Sequence, residues 1–364
     1  MIAYYGASAV YQGYMGLFYG DIGLNRAQIG MVNASAAVSA LLAQPLWGNI
    51  GDRVRDRRRL LCLIAVAAAL VLPAALFKNA LWYQLAAAAA FYAFFSALLP
   101  LGDAAVLTSD SKDIYGKIRL AGGIGYAVFS LIGGWIAGRA VSATVWMAAG
   151  LLAAAAFSAL FLPGGTQKRP KGRLLPALKD KKLRALLMFM LPAQVAMGFY
   201  YSFFALHFMS LPGAGHFALG AANLIASVSE IPYLLFSDRF YRKFGAGKTM
   251  LAAAAALSLR FFMLGVGKNV WIALLSQLLN GCGYIAIGVS MAKYISEHLP
   301  DNAAGGQALI SLMFYGAARL PGSLLGGFAA EKISIAAVFL VVSALCALGF
   351  ACFFIYAARR RFRV

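Results

Sequence analysis

Five ionisable side chains interrupt long apolar stretches of this chain: Asp103, Arg119, Glu230, Arg260 and Arg319. A charge at the centre of a bilayer costs ~2.5–3.5 kcal/mol even on a lenient scale, so each calls for a chemical reason. Asp103 and Arg119 fall at similar depth, at the inner ends of two consecutive apolar segments, where they can pair. Glu230 stands about 10 Å above the inner end of its segment, seven residues at ~1.5 Å each, and Arg260 roughly 16 Å up the next one. A long guanidinium can close the gap between them, directly or through a water. Burial and a neighbouring cation act in opposite directions on the proton affinity of a carboxyl, so Glu230 and Arg260 together suit loading and release of a proton. The plainer reading of the same two residues is a structural ion pair. Arg319 has two readings, as a partner for an anionic solute or for Glu230.

Other chemistries lack their residues. Cys62, Cys282, Cys346 and Cys352 lie in apolar segments without metal-ligand spacing and read as small buried hydrophobes. His207, His216 and His298 are scattered. Neither Gly-x-Ser-x-Gly nor His-Glu-x-x-His occurs, nor a phosphate-binding Gly-x-x-x-x-Gly-Lys-Ser/Thr loop. An enzyme and an ATP-driven pump are therefore not indicated, and no cofactor or metal is expected.

The elements that must position the five charges are long apolar helices. Of the 364 residues, 62% are apolar and 12% charged, about half the charge of an ordinary soluble domain, ~25%. Uncharged runs such as Leu60 to Phe77 and Leu81 to Pro100 have the length of membrane spans. Twelve spans are predicted, near residues 2–20, 26–50, 60–77, 81–107, 118–138, 142–162, 183–208, 217–236, 249–267, 270–296, 304–330 and 335–357. The first continues directly into the second, so no cleavable signal peptide is expected.

In a soluble protein a net charge of +20 would suggest nucleic acid. Here alternating spans put 25 of the 32 lysines and arginines on one face and five on the other, leaving Arg260 and Arg319 within spans. That bias is the positive-inside rule, so the charge sets orientation in a lipid bilayer, with both termini cytoplasmic and no nucleic acid as partner. The expected location is a bacterial cytoplasmic membrane.

A basic linker, 163–182, carries prolines, glycines and most of the central charge, and divides the chain into halves 1–162 and 183–364. The halves repeat each other. Gly48, Asp52 and Arg53, followed by Arg57 and Arg58, stand after the second span, and Asp238 with Arg239 after the eighth, the two Asp-Arg pairs 186 residues apart. An acid among cations at a helix end can form a cytoplasmic latch. Two parallel six-helix halves with a solute site between them make a transporter architecture.

The first of these loops resembles the signature loop of the major facilitator superfamily, with Arg55 or Asp56 where that pattern has its second glycine. Within the superfamily the chain looks most like the branch that holds lactose permease, phenylpropionate permease and nucleoside–proton symporters. The points of likeness are Gln44 to Gly48 with Asp52, Pro100 to Asp103, Tyr115 to Tyr126, and Lys293-Tyr-Ile. The resemblance implies an all-α fold of twelve transmembrane helices in two pseudo-symmetric six-helix bundles. It implies solute-binding roles for Asp103, Arg119 and Tyr126 and a proton-coupling role for Arg260. It also places Asn280 and Gly283 where the pattern has its coupling histidine and proton-releasing glutamate, and Ser227 where it has a glutamate. Glu230, one turn beyond Ser227, is the candidate proton carrier here. Arg319 has no match in the pattern.

By the same analogy Tyr5, Gln12, Tyr92, Ser96, Gln194, Tyr200, Tyr201, Gln277, Asn280 and Tyr284 line the path. Tyr200, Gln277 and Asn280 among them are candidate solute ligands. Asp103 and Arg119 suit vicinal hydroxyls. The expected function is alternating-access transport of a small organic solute (sugar-, nucleoside- or aromatic acid-like) by a monomer, coupled to protons as a symport. The alternative is a drug or metabolite efflux antiporter of the same superfamily.

Overall fold

The computed structural model describes all residues except 55, 108–114, 163–178, 300–302, 313–315 and 360–364. Among the described residues, each of the twelve predicted segments is largely helical. Nine helical stretches among the described residues are long and apolar enough to cross a membrane. One of the nine, His216–Val266, holds two spans joined at Gly245, whose φ of 72° is a turn conformation that glycine adopts without strain. The first helix, Ile2–Asp21, and Ala303–Leu312 and Arg319–Lys332, both within the predicted eleventh span, add to these.

Backbone polar groups find no water in a hydrocarbon core, so the ends of these helices need side-chain caps where the chain turns. Asn25 opens the second helix, Arg26–Arg53, with a capping box. Its Oδ1 accepts from the Gln28 amide at 2.9 Å, while Gln28 Oε1 accepts from the Asn25 amide at 3.0 Å. Asp56, Asp180 and Asn269 cap the third, seventh and tenth spans, each with a side-chain oxygen that accepts one backbone amide. Leu42, Leu70 and Trp271 are exposed by 67%, 74% and 74%. Large apolar residues on the outside are what a lipid-facing surface requires.

Two compact units emerge. Unit 1 comprises residues 1–169 and 215–224, and unit 2 comprises 170–214 and 225–364. In unit 1 the first helix packs on the fifth, Tyr115–Ala137, and the sixth, Val141–Ala159. The second helix packs on the fourth, Leu81–Leu107. Gly134 and Gly220 let the fifth helix and the segment starting at His216 meet backbone to backbone. In unit 2 the seventh helix, Lys181–Met209, lies against Arg319–Lys332 and the last helix, Ile335–Arg359. Gly198 and Gly322 permit the first of these approaches. The predicted linker falls almost wholly outside the described residues.

Candidate solute and proton sites

In unit 1 the fourth and fifth helices bring Asp103 and Arg119 together. Arg119 Nη1 donates to Asp103 Oδ2 at 3.1 Å and Oδ1 at 3.4 Å, with side chains 38% and 18% exposed. The guanidinium carbon lies 5.6 Å from the ring centroid of Tyr5, and that ring packs against Gly122, one turn beyond Arg119. Tyr126 follows Arg119 by seven residues, two turns along the same helix face, and is half-buried. This is an accessible acid–guanidinium pair with tyrosines nearby, chemistry that can hold polar oxygen groups of a solute.

In unit 2 the tenth span breaks. Val270–Gln277 is α-helical, Gly281–Ile285 is a π-helical turn, and Ala286–His298 resumes the α-helix. In the eighth span His216–Val228 passes into the helix beginning at Glu230 through Ser229, whose backbone stays helical. Ser229 and the π turn face each other. Ser229 Oγ accepts from the Gly281 amide at 3.1 Å and donates to the Gln277 carbonyl at 3.3 Å. Gly281 is the residue type this contact demands, because a Cβ would run into the Ser229 carbonyl.

Arg260 occupies the middle of this region and is wholly buried. Its Nη1 donates to Asn280 Oδ1 and its Nη2 to Gln277 Oε1, both at 2.6 Å. Its guanidinium carbon sits 4.3 Å from the Tyr200 ring centroid, and the Tyr200 hydroxyl donates to the same Gln277 oxygen at 2.7 Å. Asn280 Nδ2 donates to Glu230 Oε1 at 2.8 Å. Asn280 thus bridges the carboxylate and the guanidinium. The structure brings Tyr200, Gln277 and Asn280, candidate solute ligands by sequence, to Arg260 with their polar atoms engaged there.

Arg319 lies between Tyr201 and Tyr284, its guanidinium carbon 4.6 Å and 5.7 Å from their ring centroids, and donates to the Tyr284 hydroxyl.

The loop after the second span is held by Asp56, which sequence reasoning considered only as the occupant of a missing glycine. Asp56 caps the third helix through the Arg58 amide at 3.1 Å and pairs with Arg58 Nε at 3.2 Å and Arg59 Nε at 3.3 Å. The hydrogen bond and charge of Arg58 hold its carboxyl below the usual aspartate range. Arg57 is buried and donates to the Gly51 carbonyl at 3.3 Å. Gly48 has open space beside it, Arg53 is exposed, and the side chain of Asp52 lies outside the described residues. Asp238, which the structure places in helix ahead of the Gly245 turn rather than in a loop, pairs at 2.6 Å with Lys293 of the tenth span, and Arg239 is exposed. The acid-before-arginines cap pattern at Asp56 was available in the sequence. The Lys293 partnership was not, because 55 residues separate the two.

Long apolar helices with charges inside their spans describe a polytopic membrane protein. The sequence matches the MFS_1 like family over residues 2–341, and the chain belongs to that family, within the major facilitator superfamily. It is similar to the maltose permease of Geobacillus stearothermophilus, 29% identical over 351 residues, covering 93% of this chain and 88% of that one. The putative nucleoside transporter YegT of Escherichia coli strain K12 is 27% identical over 352 residues, covering 87% and 80%. The crystal structure of the nucleoside transporter NupG shares the fold, with a TM-score of 0.84 at 16% identity, covering 97% of this chain and 96% of that one. The protein is accordingly a multi-pass cell-membrane protein that handles small solutes.

Proposed function

We propose that this protein is a proton-coupled symporter of a small hydroxylated solute, related to sugars or nucleosides, working by alternating access with both termini in the cytoplasm. The observation that carries the solute class is the partly buried Arg119–Asp103 pair beside Tyr5. Two relatives named for a sugar and for nucleosides support it. Glu230 is the proton carrier in this reading. Asn280 links it to the buried Arg260, so gain of a proton weakens one end of a hydrogen-bonded chain that runs beside the π turn of the tenth span. Asp103, Arg119 and Tyr126 bind solute, and the Asp56 and Asp238 clusters hold the cytoplasmic loops.

The test is uptake of labelled sugars and nucleosides into proteoliposomes under an imposed pH gradient. Accumulation that a protonophore abolishes is expected, and Glu230→Gln should keep solute exchange while losing accumulation. Flux indifferent to the gradient, or proton-driven extrusion of hydrophobic cations, would overturn the reading.

A further inference from the structure

Between the predicted spans 217–236 and 249–267 lies a segment whose outward side has no task in the proposed function. A chain that leaves one span and enters the next passes there through the headgroup region of a bilayer. The helix beginning at Glu230 continues through it to the Gly245 turn, all within unit 2.

One side of this helix is committed to the tenth span. Tyr241 donates to Glu297 Oε2 at 2.9 Å, and Lys293 Nζ donates to Ser237 Oγ at 3.3 Å and pairs with Asp238 at 2.6 Å. Ser237 and Tyr241 are accordingly buried. The other side faces outward. Phe236, Arg239, Phe240 and Lys243 share it at i, i+3, i+4 and i+7, and all four are exposed, the two rings by 53% and 44%. Phe244, 41% exposed, stacks on Phe240 with centroids 6.4 Å apart, and Lys243 Nζ lies 5.3 Å from the Phe244 centroid.

Arg242 and Lys248 are exposed before and after the turn. Residues 235–248 thus carry four cations, and their one acid, Asp238, is already held by Lys293. The segment does not balance its own charge. Rings mixed with cations at the end of a span suit two depths of a lipid. The rings rest among glycerol and upper acyl groups, while the longer cationic side chains reach the phosphates. A small anion from water would meet the cations and leave the rings uncovered.

We infer that the outward side of residues 236–248 is a binding surface for anionic phospholipid. Arg239, Arg242, Lys243 and Lys248 take the headgroup phosphates, and Phe236, Phe240 and Phe244 take the chains. Lipid held there braces the helix whose other side grips the tenth span through Asp238 and Tyr241. The leaflet is the cytoplasmic one in the orientation proposed above, and neither the solute nor the proton reading is needed.

The experiment is thermal stability of the delipidated protein in one detergent. It is titrated with phosphatidylglycerol, with phosphatidylcholine of the same acyl chains, and with glycerol 3-phosphate as a headgroup alone. Phosphatidylglycerol should raise Tm by about 2 °C or more above phosphatidylcholine, and the difference should shrink in high salt. Loss of one cation should weaken phosphatidylglycerol binding roughly five-fold, so Arg239→Gln/Arg242→Gln/Lys243→Gln together should weaken it about 100-fold. Lys78→Gln/Lys268→Gln/Lys332→Gln takes the same charge from the other predicted face and should leave the response intact. Should the triple variant of the segment not fold, Arg239→Gln alone, with its roughly five-fold loss, and the salt dependence of the unaltered protein decide the matter. Equal stabilisation by phosphatidylcholine overturns the inference, as does an effect that glycerol 3-phosphate reproduces. A response that survives the triple variant, or falls as far in the charge-matched control, overturns it too.

Discussion

Gly281, on the π turn of the tenth span, packs against the carbonyl of Ser229 in the eighth span, with no space for a Cβ between them. Interfering with this contact should push apart the eighth and tenth spans, which carry Glu230 and Asn280 of the Glu230–Asn280–Arg260 chain.

Gly281→Ala should therefore destabilise the protein by about 1–3 kcal/mol, the usual range for forcing extra volume into a packed contact. Gly150→Ala is the control, since a Cβ there meets nothing within 4 Å. Thermal melts in one detergent compare the two, and equal Tm values would show that the contact yields freely.

Removing partners of Arg260 should cost unequally. Tyr200→Phe deletes one hydroxyl hydrogen bond and leaves the ring beneath the guanidinium, a loss of about 0.5–1.5 kcal/mol. Asn280→Leu strips a partner from both the buried guanidinium and the carboxylate, with an expected loss of about 3 kcal/mol or more. Melting curves giving the reverse order would remove Asn280 from its bridging role.

At the unit 1 pair, Arg119→Ala should abolish stabilisation by the solute, which for the unaltered protein at 100 times its Kd amounts to roughly 2.7 kcal/mol. Arg119→Lys keeps the charge without the two-pronged geometry and should recover only part of it. Solute stabilisation that persists in Arg119→Ala would take the pair out of the binding site.

Asp56 supplies a pH test outside the membrane. Its carboxyl is held below the ordinary range by Arg58, so its charge stabilises the fold above about pH 4, the unfolded value, and that contribution is lost as pH falls through the depressed folded value. Asp56→Asn retains a capping oxygen and removes only the charge. The difference in Tm between the unaltered protein and Asp56→Asn should be present at pH 6, shrink towards pH 3, and shrink in high salt. A gap independent of pH would mean that the cap alone matters.

The spans, their order and the family were legible in the chain because they follow from quantities that run along it: the length of apolar runs, the sidedness of lysine and arginine, and the repeated Asp-Arg loops. Proximity of Asp103 and Arg119 was legible for a similar reason, as both sit at one depth on consecutive helices. The partner of Asp238 is Lys293, and Arg260 is held by Asn280 and Gln277, across helices whose rotational register no residue spacing states. The π turn at Gly281–Ile285 was equally hidden. A shift from i+4 to i+5 hydrogen bonding is decided by what the turn packs against, here Ser229 and Leu257, and a lone glycine in a glycine-rich chain does not announce it. Hydrophobic length and charge placement are local and additive, and so are written in the sequence. Contacts between side chains on distant helices depend on relative rotation and depth, which only the packed bundle sets.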